Sequence, residues 1–288
     1  MTSNWRGLLW MLAQTTSMCA MMAAVRQLSF DGFSGPQLVF FRGFMGLVIM
    51  LPWFIRTIRF EPKLLVPEQW KLVLLRSLIS VVGILCWFLA LTGMVISDVT
   101  AVQLTHPLFV VVGAAFVLRE RVDRWRWMAV IIGILGALVI IRPGYIPFNP
   151  LILCILISAI SNASVQLITK FVSLKISGAV LIFYLNLTLI PFTLILSFPQ
   201  WIWPEWHQLG WILAVGLFGT FAHIFLARGM KVADASLLAP VDFMRLPIAS
   251  AFGWILFSEI SDVETWVGAT IIFIAVLIIT RQKTETNR

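Results

Sequence analysis

Long apolar stretches, separated by charged residues and Pro/Gly clusters, dominate this sequence. Each is about 17–23 residues long, and about 20 residues of α-helix cross a hydrocarbon core of roughly 30 Å. The stretches lie at 7–25, 36–55, 72–92, 97–118, 126–142, 150–169, 178–198, 209–227, 235–257 and 264–280. The pattern predicts an all-α polytopic membrane protein with ten transmembrane helices, which we number spans 1 to 10.

The composition agrees with a membrane protein: 60% of the residues are apolar and 12% are charged. An ordinary soluble domain is about half apolar and about a quarter charged, so a water-soluble fold could not bury this much apolar surface. The first stretch is too long for the apolar part of a signal peptide, and we keep it as span 1. The cysteines lie singly within spans, without the close spacing of a zinc site, and we expect neither a metal nor a cofactor.

The net charge of +8 reflects topology rather than nucleic-acid binding. If the N-terminus is cytoplasmic, the outer loops contain only Arg26 and Arg142, and the inner segments contain the other loop cations. The inner cations are Arg6, Arg56, Arg59, Lys63, Lys71, Arg119, Arg121, Arg124, Arg126, Lys170, Lys175, Arg228, Lys231, Arg281, Lys283 and Arg288. This bias follows the positive-inside rule. It predicts that both termini are cytoplasmic, and nucleic acid is excluded as a partner.

A long-period repeat divides the chain into two five-span units. Its clearest motif consists of Glu120, Asp123 and Trp127 in the first copy and Glu259, Asp262 and Trp266 in the second. Self-similarity at such a period fixes the architecture. We expect one unit at 1–145, a second at 146–281, and a polar cytoplasmic tail at 282–288.

The two units are predicted to have opposite orientations, because each contains an odd number of spans. The charges agree: the turn after Glu120 is rich in arginine, whereas the turn after Glu259 carries acidic residues and no Lys or Arg. Inverted repeats are typical of secondary transporters, in which one half rocks against the other around a site near the midplane. Transport is therefore the predicted class of function.

Several repeated motifs resemble the EamA repeat of the drug/metabolite transporter superfamily. In the first copy they are the segment from Ala90 to Asp98, Pro107, the segment from Leu118 to Arg121, Gly133 and Gly136; in the second they are Asp234, Pro240, Pro247 and Glu259. The resemblance implies a ten-helix carrier in which spans 3, 4, 8 and 9 line a central cavity. Members of the superfamily export amino acids and other metabolites, and some take up S-adenosylmethionine or riboflavin. We therefore expect a small polar or zwitterionic substrate and a monomer or homodimer.

Arg245 and Asp242 are the first candidate substrate-binding residues. Ionisable groups at mid-depth in a bilayer are costly and are functional candidates by default. Arg245 lies near the middle of span 9, and Asp242 precedes it by one helical turn on nearly the same face. Two interpretations stay open: an internal ion pair, or a guanidinium that binds a substrate carboxylate or phosphate.

His106, at the centre of span 4, is a further candidate because it directly precedes Pro107. Proline removes a backbone donor and loosens a helix, and span 9 contains two prolines. Interrupted helices at corresponding positions of two repeats indicate a transporter site. Asp242 and His106 are the candidate proton sites, although a histidine that is simply packed is the alternative.

Trp87 in span 3 and His223 in span 8 align in the repeat and are predicted to face the cavity. Trp87 could stack on a ligand or pack as an apolar group. Arg42 lies a turn or two inside span 2 and either snorkels to the outer surface or lines the outer mouth of the cavity. Arg76, near the inner end of span 3, is expected to snorkel.

Other functional classes fit the sequence less well. It lacks the phosphate-binding loop of an ATP-driven pump, so energy must come from an ion gradient such as protons, from exchange, or from downhill flow. An intramembrane enzyme needs several clustered His, Asp or Glu residues, and the buried acids reduce to Asp242. We predict a non-enzymatic carrier in a bacterial inner membrane, with a channel-like facilitator as the alternative.

Overall fold

The computed structural model describes residues 3–60, 67–116, 124–142, 149–172, 176–232 and 241–285. Throughout these residues the regular secondary structure is helical. The helices are α1 (Ser3–Phe30), α2 (Gly35–Phe60), α3 (Trp70–Gly93), α4 (Ile96–Gln103), α5 (His106–Phe116), α6 (Arg124–Ile141), α7 (Leu151–Val172), α8 (Gly178–Ser197), α9 (Leu209–Val232), α10 (Arg245–Phe257) and α11 (Val263–Glu285). Span 4 is formed by α4 and α5, and α10 is the second part of span 9.

The helices match the predicted spans in number and order. Within the described residues, seven helices are long and apolar enough to cross a membrane, and three shorter apolar helices cover Trp127–Ile141, Arg245–Phe257 and Val263–Ile278. Large apolar side chains such as Ile195, Trp254 and Ile255 are more than 60% exposed, which suits contact with lipid. The prediction of ten apolar helices is therefore confirmed.

Helix packing relates the two halves by an approximate two-fold axis. The contact of α1 with α9 corresponds to the contact of α7 with α3 in the other half. In addition, α2 packs against its equivalent α8, and α6 packs against its equivalent α11. The α2–α8 pair is antiparallel: Gly43 approaches Leu189, while Phe54, farther along α2, stacks on the earlier Phe183 at 4.6 Å. Equivalent helices that run antiparallel belong to halves of opposite orientation, which confirms the inverted repeat.

The α6–α11 pair is in direct backbone contact. A methyl group built on Gly136 would lie 2.8 Å from the carbonyl oxygen of Gly268 and 3.0 Å from Ile271 and Ile272. The two backbones therefore touch without side chains between them, as small residues allow in membrane proteins. Only glycine fits at Gly136 without moving one helix.

Spans 4 and 9 are interrupted in the same way. In span 4 the Thr105 amide bonds the Val102 carbonyl at 3.0 Å, and a new helix begins at His106; in span 9 the Met244 amide bonds the Val241 carbonyl at 3.0 Å, and α10 begins at Arg245. The first residues after the two breaks, His106 and Arg245, are separated along the chain by the same number of residues as Glu120 and Glu259. Pro107 and Pro247 then fall in the first turn of the new helix, where a missing amide donor is tolerated.

Several predictions concern residues outside the described ones. These are Leu118, Arg119, Glu120, Arg121, Asp123, Asp234, Pro240 and the last residues of the tail, 286–288.

Candidate functional site

The two interruptions meet inside the protein. Helix α4 packs against α10, and α1 packs against α10 from another side. His106 lies close enough to Asp242 and Arg245 to interact electrostatically with both charges. The structure thus brings together three of the six predicted site residues, one from the first half and two from the second.

Arg245 and Asp242 form a shielded ion pair. The Arg245 Nη2 donates to Asp242 Oδ1 at 2.5 Å, and the side chains are 13% and 17% exposed. The Cys19 thiol of α1 donates to the Arg245 carbonyl oxygen at 3.5 Å. The Arg245 Nε is buried without a hydrogen-bond partner in the described part of the chain. Asp242 therefore neutralises Arg245, but one guanidinium donor stays available.

A second polar cluster contains Arg42 and His223. Arg42 of α2 is 9% exposed, and its Nη2 lies 3.0 Å from the Nε2 of His223 in α9. Because a guanidinium can only donate, Nε2 must accept, and His223 is neutral in this arrangement. Arg42 therefore does not snorkel to the surface but points between the helices.

Arg76, near the start of α3, is a further interior arginine. Its Nε donates to the Thr169 hydroxyl of α7 at 2.7 Å, and it interacts electrostatically with His223. Its guanidinium therefore contacts a neighbouring helix of the protein.

An ion-pair network joins the halves where α1 and α3 end and α4 begins. Arg26 binds Glu259 at 2.7 Å and also donates to the carbonyl oxygens of Leu91 and Thr92, which end α3. The other Glu259 oxygen accepts from the Ile96 amide at 3.1 Å, at the start of α4.

The network continues along α11. Arg142 binds Asp262 at 2.7 Å and Glu264 at 3.1 Å. Asp98 of α4 accepts a hydrogen bond from the Thr265 hydroxyl at 2.7 Å. Each of these contacts crosses from one half to the other, so we call Arg26, Arg142, Glu259, Asp262 and Glu264 the inter-repeat network.

The family model described as the EamA-like transporter family matches this chain twice, at residues 5–142 and 149–281. The chain belongs to the EamA-like transporter family. Two matches in one chain agree with two halves that pack as inverted repeats. The resemblance identified from the sequence is confirmed, and the protein is a multi-pass membrane transporter rather than an enzyme.

Relatives of this EamA-like transporter carry different names. It is 31% identical over 287 residues to the riboflavin transporter of Vibrio cholerae, covering 98% of this chain and 95% of the relative. It is 29% identical over 243 residues to the S-adenosylmethionine uptake transporter of Rickettsia prowazekii, covering 84% of this chain and 82% of the relative. A solved crystal structure that is 15% identical shares the fold, with a TM-score of 0.58 over 99% of this chain and 98% of the other.

Trp87 of the transporter takes part in apolar packing rather than in an ion pair. It packs edge-on against Phe88, with ring centroids 5.6 Å apart, and borders the hydrophobic core. Its indole N–H is buried without a hydrogen-bond partner in the described part of the chain. A stacking role toward a ligand stays a prediction.

Sequence reasoning missed two features of the transporter. The repeat motif identifies Glu259 only as the equivalent of Glu120, yet Glu259 joins α1 to α4; Arg26, one of two cations in the predicted outer loops, is the signal that could have found this contact. Arg76 was expected to snorkel, but its guanidinium contacts Thr169. No pattern in the sequence indicates that contact, since it joins residues of two spans far apart along the chain.

Proposed function

We propose that this EamA-like transporter is a secondary carrier that moves a small polar or zwitterionic metabolite by alternating access between its two halves. The observation that carries the proposal is the meeting of the two interrupted helices, with Arg245, Asp242 and His106 at the breaks. A substrate bound there would contact both halves, so its binding would be coupled to their relative motion.

We assign Arg245 and Asp242 the role of binding charged groups of the substrate. Arg245 keeps an unused donor although it is paired with Asp242, so a carboxylate or phosphate could displace or share that partner. Asp242 and His106 are the proposed proton sites. When a substrate binds Arg245, Asp242 would lose its ion-pair partner and could take up a proton. Solute binding would then be linked to the protonation of Asp242.

We place both termini on the cytoplasmic side of a bacterial inner membrane. The repeats are proposed to cover 1–145 and 146–281, followed by the tail at 282–288. The positions of Arg26 and Arg142 support this topology: these cations of the predicted outer loops both bind acidic partners in the inter-repeat network. The network then lies on the outer side and must open for substrate to reach the site from there.

The names of the relatives suggest which substrates to try first. Riboflavin and S-adenosylmethionine are named in the relatives of Vibrio cholerae and Rickettsia prowazekii. Amino acids are the third class, because a zwitterion suits a site that holds both Arg245 and Asp242.

The test is uptake of labelled riboflavin, S-adenosylmethionine and amino acids into proteoliposomes that contain the purified protein. We expect one class to be taken up, and preloading with the unlabelled compound should accelerate uptake, because a carrier returns faster when loaded. Arg245→Gln should lower the rate at least tenfold, the effect of losing roughly 1.5–3 kcal/mol from a hydrogen bond to a charged group.

Lys71→Gln, at an exposed position near the start of α3, is the matched control and should transport normally. Normal transport by Arg245→Gln would refute the assignment of Arg245. Uptake without acceleration by preloaded substrate would instead favour a channel-like facilitator. Rates that do not respond to a pH step or to collapse of the proton gradient would exclude Asp242 and His106 as coupling sites.

A further inference from the structure

Arg42 carries a positive charge that no acidic group among the described residues neutralises. Its side chain is 9% exposed, and its Nε and Nη1 atoms are buried without hydrogen-bond partners in the described part of the chain. Its hydrogen-bond partner within the described residues, His223, is a neutral acceptor at 3.0 Å. Arginine does not lose its proton in proteins, so this charge cannot be removed by titration.

The lack of a carboxylate partner distinguishes Arg42 from three other shielded arginines. Arg26, Arg142 and Arg245 each bind a carboxylate at 3.1 Å or less. Arg42 and Arg76 have no such partner in the described residues, and each leaves at least one buried guanidinium nitrogen unbonded. Both act electrostatically on His223, which adds no acidic group to compensate them.

Arg42 also packs closely against a glycine. Gly219 of α9 borders it, and a methyl group built on that glycine would lie 3.4 Å from the Arg42 Nε and 2.9 Å from the Met21 sulfur. Any larger side chain at that position would cover the unbonded guanidinium edge. The edge is therefore flanked by a residue without a side chain.

A buried, unpaired guanidinium is unfavourable in a bilayer. Such groups usually face a ligand pathway or a bound partner. The planar fork of donors in arginine matches the oxygens of a carboxylate or phosphate.

We infer that Arg42, oriented by His223, forms an oxyanion subsite that binds the carboxylate or phosphate of the transported solute. The inference rests on the proposed function, since it assigns the subsite to a solute on its way through the carrier. It is distinct from the Arg245–Asp242 pair, which already holds an anion of its own. The substrate class is thereby narrowed to solutes with at least one oxyanion group.

Binding to the purified protein in a neutral detergent tests the inference without any flux. Thermal stability is measured with matched compounds: riboflavin against its 5′-phosphate, S-adenosylmethionine against its decarboxylated form, and inorganic phosphate against chloride at equal ionic strength. A ligand that binds only the folded protein raises its apparent stability. The member with the oxyanion should stabilise more than its partner in at least one pair.

Arg42→Gln should weaken binding of that member by roughly tenfold or more, the usual loss when a hydrogen bond to a charged group is removed. Binding of the member without the oxyanion should be unaffected. Arg6→Gln is the matched control, because Arg6 is an exposed arginine near the start of α1. Equal stabilisation by both members of every pair, or an unchanged oxyanion preference in Arg42→Gln, would overturn the inference.

The stability of the ligand-free variant provides a second, independent readout. If Arg42 serves to bind a ligand, its unpaired charge should not stabilise the unliganded protein, because function and stability oppose each other at such sites. Arg42→Gln should then leave the melting temperature without ligand unchanged or raise it. A clear fall would mean that Arg42 is a structural residue and would overturn the inference. Co-purification of a phospholipid that is lost in Arg42→Gln, detected by native mass spectrometry, would also overturn it by assigning the charge to a lipid headgroup.

These results separate the two proposals. A solute whose transport is unaffected by Arg42→Gln would refute the oxyanion subsite and leave the carrier standing. Arg42-dependent oxyanion binding without flux of any compound would support the subsite and refute the carrier.

Discussion

At the scale of single residues, the interior charges of this transporter differ in how they are compensated. Arg245 has Asp242 one turn before it, at 2.5 Å, and the two form a locally neutral unit. A buried ion pair adds little net stability, because removing both charges from water offsets their attraction. Breaking the pair from one side is strongly destabilising, since the charge that is left has no partner.

The two ways of breaking this pair should therefore differ. Asp242→Asn leaves an arginine that stays charged, whereas Arg245→Gln leaves a carboxylate that can take up a proton. We expect Asp242→Asn to destabilise by roughly 3–5 kcal/mol, Arg245→Gln by less, and the double variant to recover most of the loss. Thermal unfolding of the four proteins in one detergent measures this.

Strictly additive losses in that cycle would mean that the two side chains do not interact. Asp31→Asn is a suitable control, because Asp31 lies in the turn after α1 rather than between the helices. It should leave the melting temperature nearly unchanged.

The sequence predicts the contact between Asp242 and Arg245 but not the contact between Arg42 and His223. Asp242 and Arg245 are one helical turn apart, so their proximity follows from helix geometry alone. Arg42 and His223 lie on different halves, and only the packing of α2 against α9 brings them together. Periodicity identifies each as a polar group in an apolar span but cannot show that they meet.

At the scale of secondary-structure elements, glycine determines how closely helices of the two halves approach. A Cβ atom on Gly136 would lie 2.8 Å from a backbone oxygen of α11, and a backbone atom cannot rotate away as a side chain can. The helices would have to separate, or the new methyl group would have to be accommodated by strain.

Gly136→Ala should therefore lower stability by roughly 1–3 kcal/mol, the usual range for overpacking. For a chain of this size that is a fall of at least about 2 °C in melting temperature. Gly210→Ala is the control: nothing lies within 4 Å of a Cβ atom there, and an alanine in α9 should be neutral or stabilising. A Gly136→Ala protein as stable as the wild type would contradict the close backbone contact.

The elements themselves were largely predictable. Apolar length determines the spans, and Pro107 indicates the interruption of span 4, because proline is compatible with the first turn of a helix and not with its interior. The tightened turn at Leu104 and Thr105 lies before that proline, so its position depends on hydrogen bonding that the sequence pattern does not specify.

At the scale of the whole molecule, the inter-repeat network closes one end of the boundary between the halves. Glu259 has a central place, because one of its oxygens binds Arg26 of α1 and the other caps α4 at Ile96. Both contacts join the second half to the first. Opening this end of the molecule therefore requires Glu259 to release α1 and α4.

Glu259→Gln should shift the population toward forms open at this end. Weakening the network by about 1.4 kcal/mol changes the ratio of closed to open forms tenfold. Cys19, which is fully buried beside Arg245, can report the change. In a Cys86→Ser, Cys154→Ser background, a membrane-impermeant maleimide added to the outside of spheroplasts should label Cys19 several times faster in Glu259→Gln.

Glu264→Gln is the matched control, because Arg142 keeps its contact with Asp262 when Glu264 is neutralised. It should label at the rate of the background protein. Equal labelling in the Glu259 and Glu264 variants would show that Glu259 does not hold the halves closed.

The backbone contact between Gly136 and Gly268 also restricts how the halves can move. Sliding one helix along the other would drive carbonyl oxygens into the flanking isoleucines, whereas a small change of crossing angle keeps the contact point in place. We expect α6 and α11 to act as a pivot. Displacements should then be smallest at this contact and grow with distance from it, toward the point where Arg26 meets Glu259.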